Sequence, residues 1–127
     1  MTARMKERPQ ELTRAELEIM QILWNREVGF VNDILEDMPH PKPAYNTVST
    51  IVRILEKKGF VGHRSYGKSY EYYPIIDRET YTGGFMSSVL NNFFGGSASR
   101  MMSFLSSNNS ISVEEVDEIL NLLNDKK

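Results

Sequence analysis

The stretch AYNTVSTIVRILEKKGF, residues 44–60, decides how this chain folds. Ala44, Val48, Ile51, Val52 and Leu55 recur at i, i+4, i+7, i+8 and i+11, which places one apolar stripe on a helix, and Gly59 stops that helix behind Lys57 and Lys58. At 3.6 residues per turn, Asn46, Ser49, Thr50, Arg53 and Lys57 fall on the opposite side. No acid interrupts that polar side, and Glu56 lies at its margin near the helix end. Asn pairs bidentately with adenine, Ser and Thr offer hydroxyls, Thr adds a methyl for thymine, and Arg grips guanine or phosphate, so the set suits a major groove.

Upstream, LTRAELEIMQILW (12–24) is a strong helix start. Thr13 and Glu16 form a capping box, Leu12 and Leu17 sit at the hydrophobic-staple positions, and Leu17, Met20, Leu23 and Trp24 continue the stripe. After a break at Gly29, VNDILEDM (31–38) predicts a short second helix ending at Pro39, and PHPKP (39–43) is a connector. Downstream, FVGHRS (60–65) and SYEYYP (69–74) are short aromatic and β-branched runs, joined as a hairpin whose turn uses Gly67. Three helices and then a hairpin is the order of a winged helix-turn-helix.

The same hairpin contains Gly62, Gly67, Lys68 and Ser69 in the spacing of a phosphate-binding loop, and Asp77 follows an apolar pair. Such a loop works by delivering phosphate to a helix N-terminus, whereas YEYYP cannot begin a helix, so no nucleotide site is expected. At a hairpin tip, Gly67 and Lys68, beside Arg64 and Tyr66, instead form a basic turn able to reach a phosphate backbone or minor groove. Tyr70, Tyr72 and Tyr73 read as strand aromatics packed on a neighbouring helix rather than a stacking platform.

Composition narrows the function. The chain has 127 residues, 25% charged and 40% hydrophobic, the balance of a soluble domain, and no apolar run approaches a membrane span, so a cytoplasmic protein without membrane insertion is expected. Without cysteine there is no disulfide, thiolate metal site or Cys nucleophile; His40 sits among prolines and His63 in the hairpin, with no carboxylate or second histidine at ligand spacing. No cofactor, metal or catalytic residue is expected, hence no enzyme. The formal charge of -2 is uneven: residues 42–68 hold Lys42, Arg53, Lys57, Lys58, Arg64 and Lys68 against Glu56 alone. A local basic patch matters more to a polyanion than the total.

Residues 77–127 differ in character, with FMSSVLNNFFGGSASRMMSFL (85–105) rich in Phe, Met and Ser and broken at Gly95-Gly96. Ser112 and Glu115 form a second capping box, with Ile111 and Val116 at its staple positions, ahead of a Val113, Val116, Leu120, Leu123 stripe. About fifty residues cannot bury so many apolar side chains alone, so another surface must cover them. The expected organisation is mainly α with one small β-hairpin: a DNA-binding winged helix over 10–76, and a helical domain over 77–127 covered either by that first domain or by a second copy of the chain.

These residues resemble the BlaI/MecI/CopY, or penicillinase repressor, family of bacterial transcriptional regulators. The resemblance runs from LTRAELEIMQILW through NTVSTIVRILEKKGFVGHRSYGKSYEYYP (46–74) to LSSNNSISVEEVDEILNLL (105–123). It implies a repressor that reads a palindromic operator in duplex DNA as a homodimer, with 77–127 as its helical dimerisation domain, regulating β-lactam resistance or another stress-response operon, and with an inducing protease or membrane sensor as a further partner. With the residue-level reading, the candidate reading-helix contacts are Lys42, Tyr45, Asn46, Thr47, Ser49, Thr50, Arg53 and Lys57, and the wing contacts Arg64, Tyr66, Gly67 and Lys68. The candidate dimer interface is Phe85, Val89, Phe93, Met101, Phe104, Val116 and Leu120. The chain departs from the family twice: it lacks the cysteine pairs of copper-sensing members, and Ser103-Phe104 stands where antibiotic-responsive members are cut at an Asn-Phe bond, an Asn92-Phe93 pair lying one helix earlier. The alternative is a winged-helix module that binds an acidic protein without reading DNA.

Overall fold

A computed structural model describes residues 11–108, 112–115, 117, 118 and 121. Its elements are α1 (Arg14–Arg26), α2 (Val31–Asp37), α3 (Tyr45–Lys57), β1 (Val61–Tyr66), β2 (Ser69–Pro74), α4 (Arg78–Phe94) and α5 (Ala98–Ser107). The chain divides into two compact units between Gly84 and Phe85, inside α4.

In the first unit, local chemistry fixes the helix ends. Thr13 Oγ1 accepts from the Glu16 amide at 3.2 Å while Glu16 Oε1 accepts from the Thr13 amide at 2.9 Å, the reciprocal capping box. α3 ends in a Schellman motif, with Gly59 at φ 87°, its amide donating to the Glu56 carbonyl and the Phe60 amide donating to the Leu55 carbonyl. Leu55 and Phe60 are both fully packed, so the turn also feeds the core.

That core joins Ile19, Met20 and Leu23 of α1, Val31 and Ile34 of α2, and Val48, Val52 and Leu55 of α3 with Phe60, Val61 and Tyr72. Burying such a side chain contributes roughly 1.5–3 kcal/mol each. Ala44, expected in the α3 stripe, is instead the exposed, extended N-cap, because the helix begins one residue later at Tyr45.

β1 and β2 pair antiparallel with Tyr66 opposite Ser69, leaving Gly67 and Lys68 as a two-residue turn. Gly67 has φ 61° at the first central position, which a type II′ hairpin turn requires. The hairpin has a third partner that periodicity did not show. Gly29, between α1 and α2, exchanges two backbone hydrogen bonds with Tyr72, at 2.9 and 2.8 Å, tying the wing to the helical layer. Two further bonds hold the exit from β2: the Trp24 indole donates to the Ile76 carbonyl at 2.9 Å, and the Tyr81 hydroxyl accepts from the Leu12 amide at 3.0 Å. Tyr81 is buried in this core, so the first unit includes the start of α4.

In the second unit, α4 ends at Gly95 and Gly96, with φ of 57° and 82°, and Ser97 caps α5 by accepting from the Arg100 amide at 3.1 Å. Phe94 and Phe104 pack with ring centroids 5.7 Å apart. The Ser112 and Glu115 capping box forms in both directions at 3.1 Å.

Candidate nucleic-acid interface

The polar side of α3 divides into rows. Tyr45, Ser49 and Arg53, one turn apart, line a groove of about 750 Å³ with Tyr66, Lys68, Ser69 and Tyr70 of the hairpin and Phe30–Asp33 at the start of α2. Asn46 and Thr50 are exposed on the outer surface, where Thr50, Arg53, Ile54, Glu56 and Lys57 border a second, shallower depression. Thr47 lies apart from both rows, in a groove of about 390 Å³ formed with Ala15, Glu18 and the 38–43 connector. The fold thus brings three of the candidate helix contacts, Tyr45, Ser49 and Arg53, and two of the candidate wing contacts, Tyr66 and Lys68, to one groove.

Its electrostatics follow from which cations are committed elsewhere. Lys58 Nζ lies 2.8 and 3.0 Å from the two carboxylate oxygens of buried Glu16, joining the end of α3 to the start of α1. Burial pushes the Glu16 carboxyl up, but the Lys58 ammonium and the Thr13 cap outweigh it and hold the carboxyl below the usual glutamate range. Lys42, a candidate DNA contact, donates to the Leu35 and Glu36 carbonyls at 2.8 Å each, covering the exposed C-terminal end of α2. Among the described residues, Arg53, Lys57, Arg64 and Lys68 form no ion pair. Arg53 donates to Ser49 Oγ at 3.3 Å, and Arg64 lies 5.2 Å over the Tyr73 ring.

Two expectations about the hairpin change. His63 does meet a carboxylate: its Nδ1 lies 2.6 Å from Glu56 Oε2, because the α3 turn folds β1 back along the helix end. Of the three tyrosines, Tyr72 is buried and Tyr73 half-buried, while Tyr70 is 46% exposed and stacks on His63 at 4.1 Å between centroids. Burial pushes the Tyr72 phenol up, nearby Glu56 adding to the shift and Arg53 opposing it. Among the described residues, no group of three or more His, Asp or Glu is placed to hold a metal ion. Gly62, Gly67, Lys68 and Ser69 all lie in the hairpin, and Asp77 accepts from the Thr80 amide at 2.8 Å, so the phosphate-loop letters carry no such loop. Hydrogen bonds from the Thr80 hydroxyl and then its amide hold the Asp77 carboxyl below its usual range.

Against known families, residues 12–125 match the penicillinase repressor model. This chain belongs to the penicillinase repressor family. The family is one of transcriptional repressors, not enzymes. Similar members include the penicillinase repressor of Bacillus licheniformis, 30% identical over 97% of this chain and 96% of the relative. The methicillin resistance regulatory protein MecI of Staphylococcus aureus is 27% identical over 96% of this chain and 100% of its own. Among solved structures, the DNA-binding domain of the repressor BlaI matches with a TM-score of 0.51 at 29% identity, covering 59% of this chain and 92% of that domain. The penicillinase repressor fold is thus a mainly helical winged helix with a two-stranded hairpin.

The penicillinase repressor reading named the residues of α3 and the turn. Glu56, His63 and the α2 residues beside the groove were not among the candidate contacts. Glu56 and His63 are seven residues apart, but the helix stops between them and His63 stands in a strand, so no single repeat links the two and only the fold reveals the pair.

Proposed function

We propose that this protein is a transcriptional repressor that binds duplex DNA as a homodimer on a palindromic operator. In this reading, α3 enters the major groove with Asn46, Ser49, Thr50 and Arg53 toward base edges, and the Gly67-Lys68 turn contacts the flanking backbone. The observation that carries it is the shared groove, which sets the uncommitted cations of helix and wing, Arg53 and Lys68, beside one another. Basic side chains so arranged displace counterions from a polyphosphate and give binding a steep salt dependence. Membership of a repressor family, with relatives named for penicillinase and methicillin resistance, supports occupation of a promoter for β-lactam resistance or another stress-response operon.

Dimerisation completes the reading, because two reading helices about 34 Å apart match one turn of DNA. Phe85, Val89 and Phe93 follow one row of α4 at i, i+4 and i+8, and Phe93 is 76% exposed, which supports their use between copies. Met101 is half-buried and Phe104 exposed on α5. Val116 and Leu120, the remaining interface candidates, lie outside the described residues. The protein acts in the cytoplasm on this reading, and among the described residues no helix is long and apolar enough to cross a membrane. An inducing protease or membrane sensor is a further partner in this reading, and α5 carries Ser103-Phe104 in place of the Asn-Phe bond at which antibiotic-responsive members of the family are cut.

The test is a mobility shift with promoter-derived and random duplexes at two salt concentrations. Sequence preference with steep salt dependence is expected. A protein that shifts neither duplex is not a DNA-binding repressor, and its α3 face would then serve a protein partner.

A further inference from the structure

Glu56 is the one carboxylate of α3, and it borders the same surface depression as Thr50, Arg53 and Lys57. A carboxylate facing phosphates repels them and offsets a neighbouring cation. The fold does not leave it free. Glu56 Oε2 lies 2.6 Å from His63 Nδ1, and one face of the imidazole is covered by Tyr70, stacked at 4.1 Å with planes 21° apart, while Tyr72 sits 5.8 Å away. His63 is opposite Tyr72 in the hairpin register, so the imidazole joins the middle of the wing to the last turn of α3.

We infer that His63 is a positioning residue for DNA binding: it holds Glu56 against the hairpin at the margin of the DNA face, and when protonated cancels its charge. The inference rests on the DNA-binding reading above. Histidine alone among side chains ordinarily changes charge between about pH 5 and 8, so a part played by this pair is read in a pH profile of binding. The other groups around it do not replace it. From α3, Arg53 and Tyr45 approach Tyr72 on the same side; from β2, Tyr70 and Tyr72 are phenols; Arg64, next on β1, lies over Tyr73; Asp33 of α2 is held by Arg26 at 3.6 Å.

The experiment uses the full chain and two probes: a duplex enriched from a random pool by the wild-type protein, and an unselected random duplex. Affinities are measured by fluorescence anisotropy from about pH 5 to 8 for wild type, His63→Gln, His63→Ala, Glu56→Gln and the doubles. His63→Gln is expected to weaken binding at the acid end about threefold or more, the scale of coupling between contacting residues, and to flatten the pH profile. On a Glu56→Gln background the same change should cost little, while His40→Gln should leave the profile unchanged. Thermal melting by circular dichroism identifies an unfolded variant, and His63→Gln, which keeps a hydrogen-bonding amide, decides if His63→Ala does not fold. An additive cycle, or a pH profile that survives His63→Gln, overturns the inference. If wild type enriches no duplex, it is the DNA-binding reading that fails.

Discussion

Arg53 stands where the two exposed rows of α3 meet, bordering both the wing groove and the outer depression. Removing its guanidinium leaves the helix stripe intact. Arg53→Ala is expected to lose about 1–3 kcal/mol on the preferred duplex and much less on random sequence, measured by competition binding. Gly62 makes the opposite kind of demand, since a Cβ there would lie 2.8 Å from the Tyr73 hydroxyl and 2.9 Å from its ring. Gly62→Ala should therefore force the Tyr73 ring, and Arg64 above it, to move, at a cost of about 1–3 kcal/mol read as a lower thermal midpoint. A position that resembled part of a phosphate loop is thus a packing glycine.

At the scale of elements, the wing and the joint between α1 and α3 have separate consequences. Lys68 is exposed in a two-residue turn and makes no ion pair among the described residues. Lys68→Ala is expected to weaken binding to all duplexes alike and to lower the salt slope by about 1, the signature of one lost phosphate contact. The Glu16 and Lys58 pair controls stability instead. The folded carboxyl is held below its unfolded value, so its contribution is complete above the unfolded glutamate pKa, about 4.3, and disappears as pH falls through the lower folded value. Glu16→Gln should reduce stability at neutral pH and shrink that acid-side loss, seen in denaturant midpoints across a pH series. The capping box that starts α1 was legible because it is an i to i+3 pattern; the Lys58 partner, 42 residues away, was not.

For the molecule as a whole, the apolar side chains of α4 and α5 raise the question of association. Phe93 and Phe104 are 76% and 53% exposed. Sedimentation of the wild-type chain at micromolar concentration is expected to give a dimer, and Phe93→Asp a monomer that still melts cooperatively through its winged-helix unit. A compact wild-type monomer would remove the dimeric operator reading. Much of this architecture can be read from residues 12–74, because capping boxes, helical stripes, a glycine stop and a glycine turn act between residues at most a few positions apart. Those signals set the order of elements, the buried side of α3 and the polar side offered to a partner. Chain reversal decided the rest: Gly29 joining the wing at Tyr72, Lys42 and Lys58 committed to carbonyls and a carboxylate, and Glu56 turned onto His63. A local pattern fixes which face a residue occupies, but which charge remains free on that face depends on partners that only the packed fold brings within hydrogen-bonding distance.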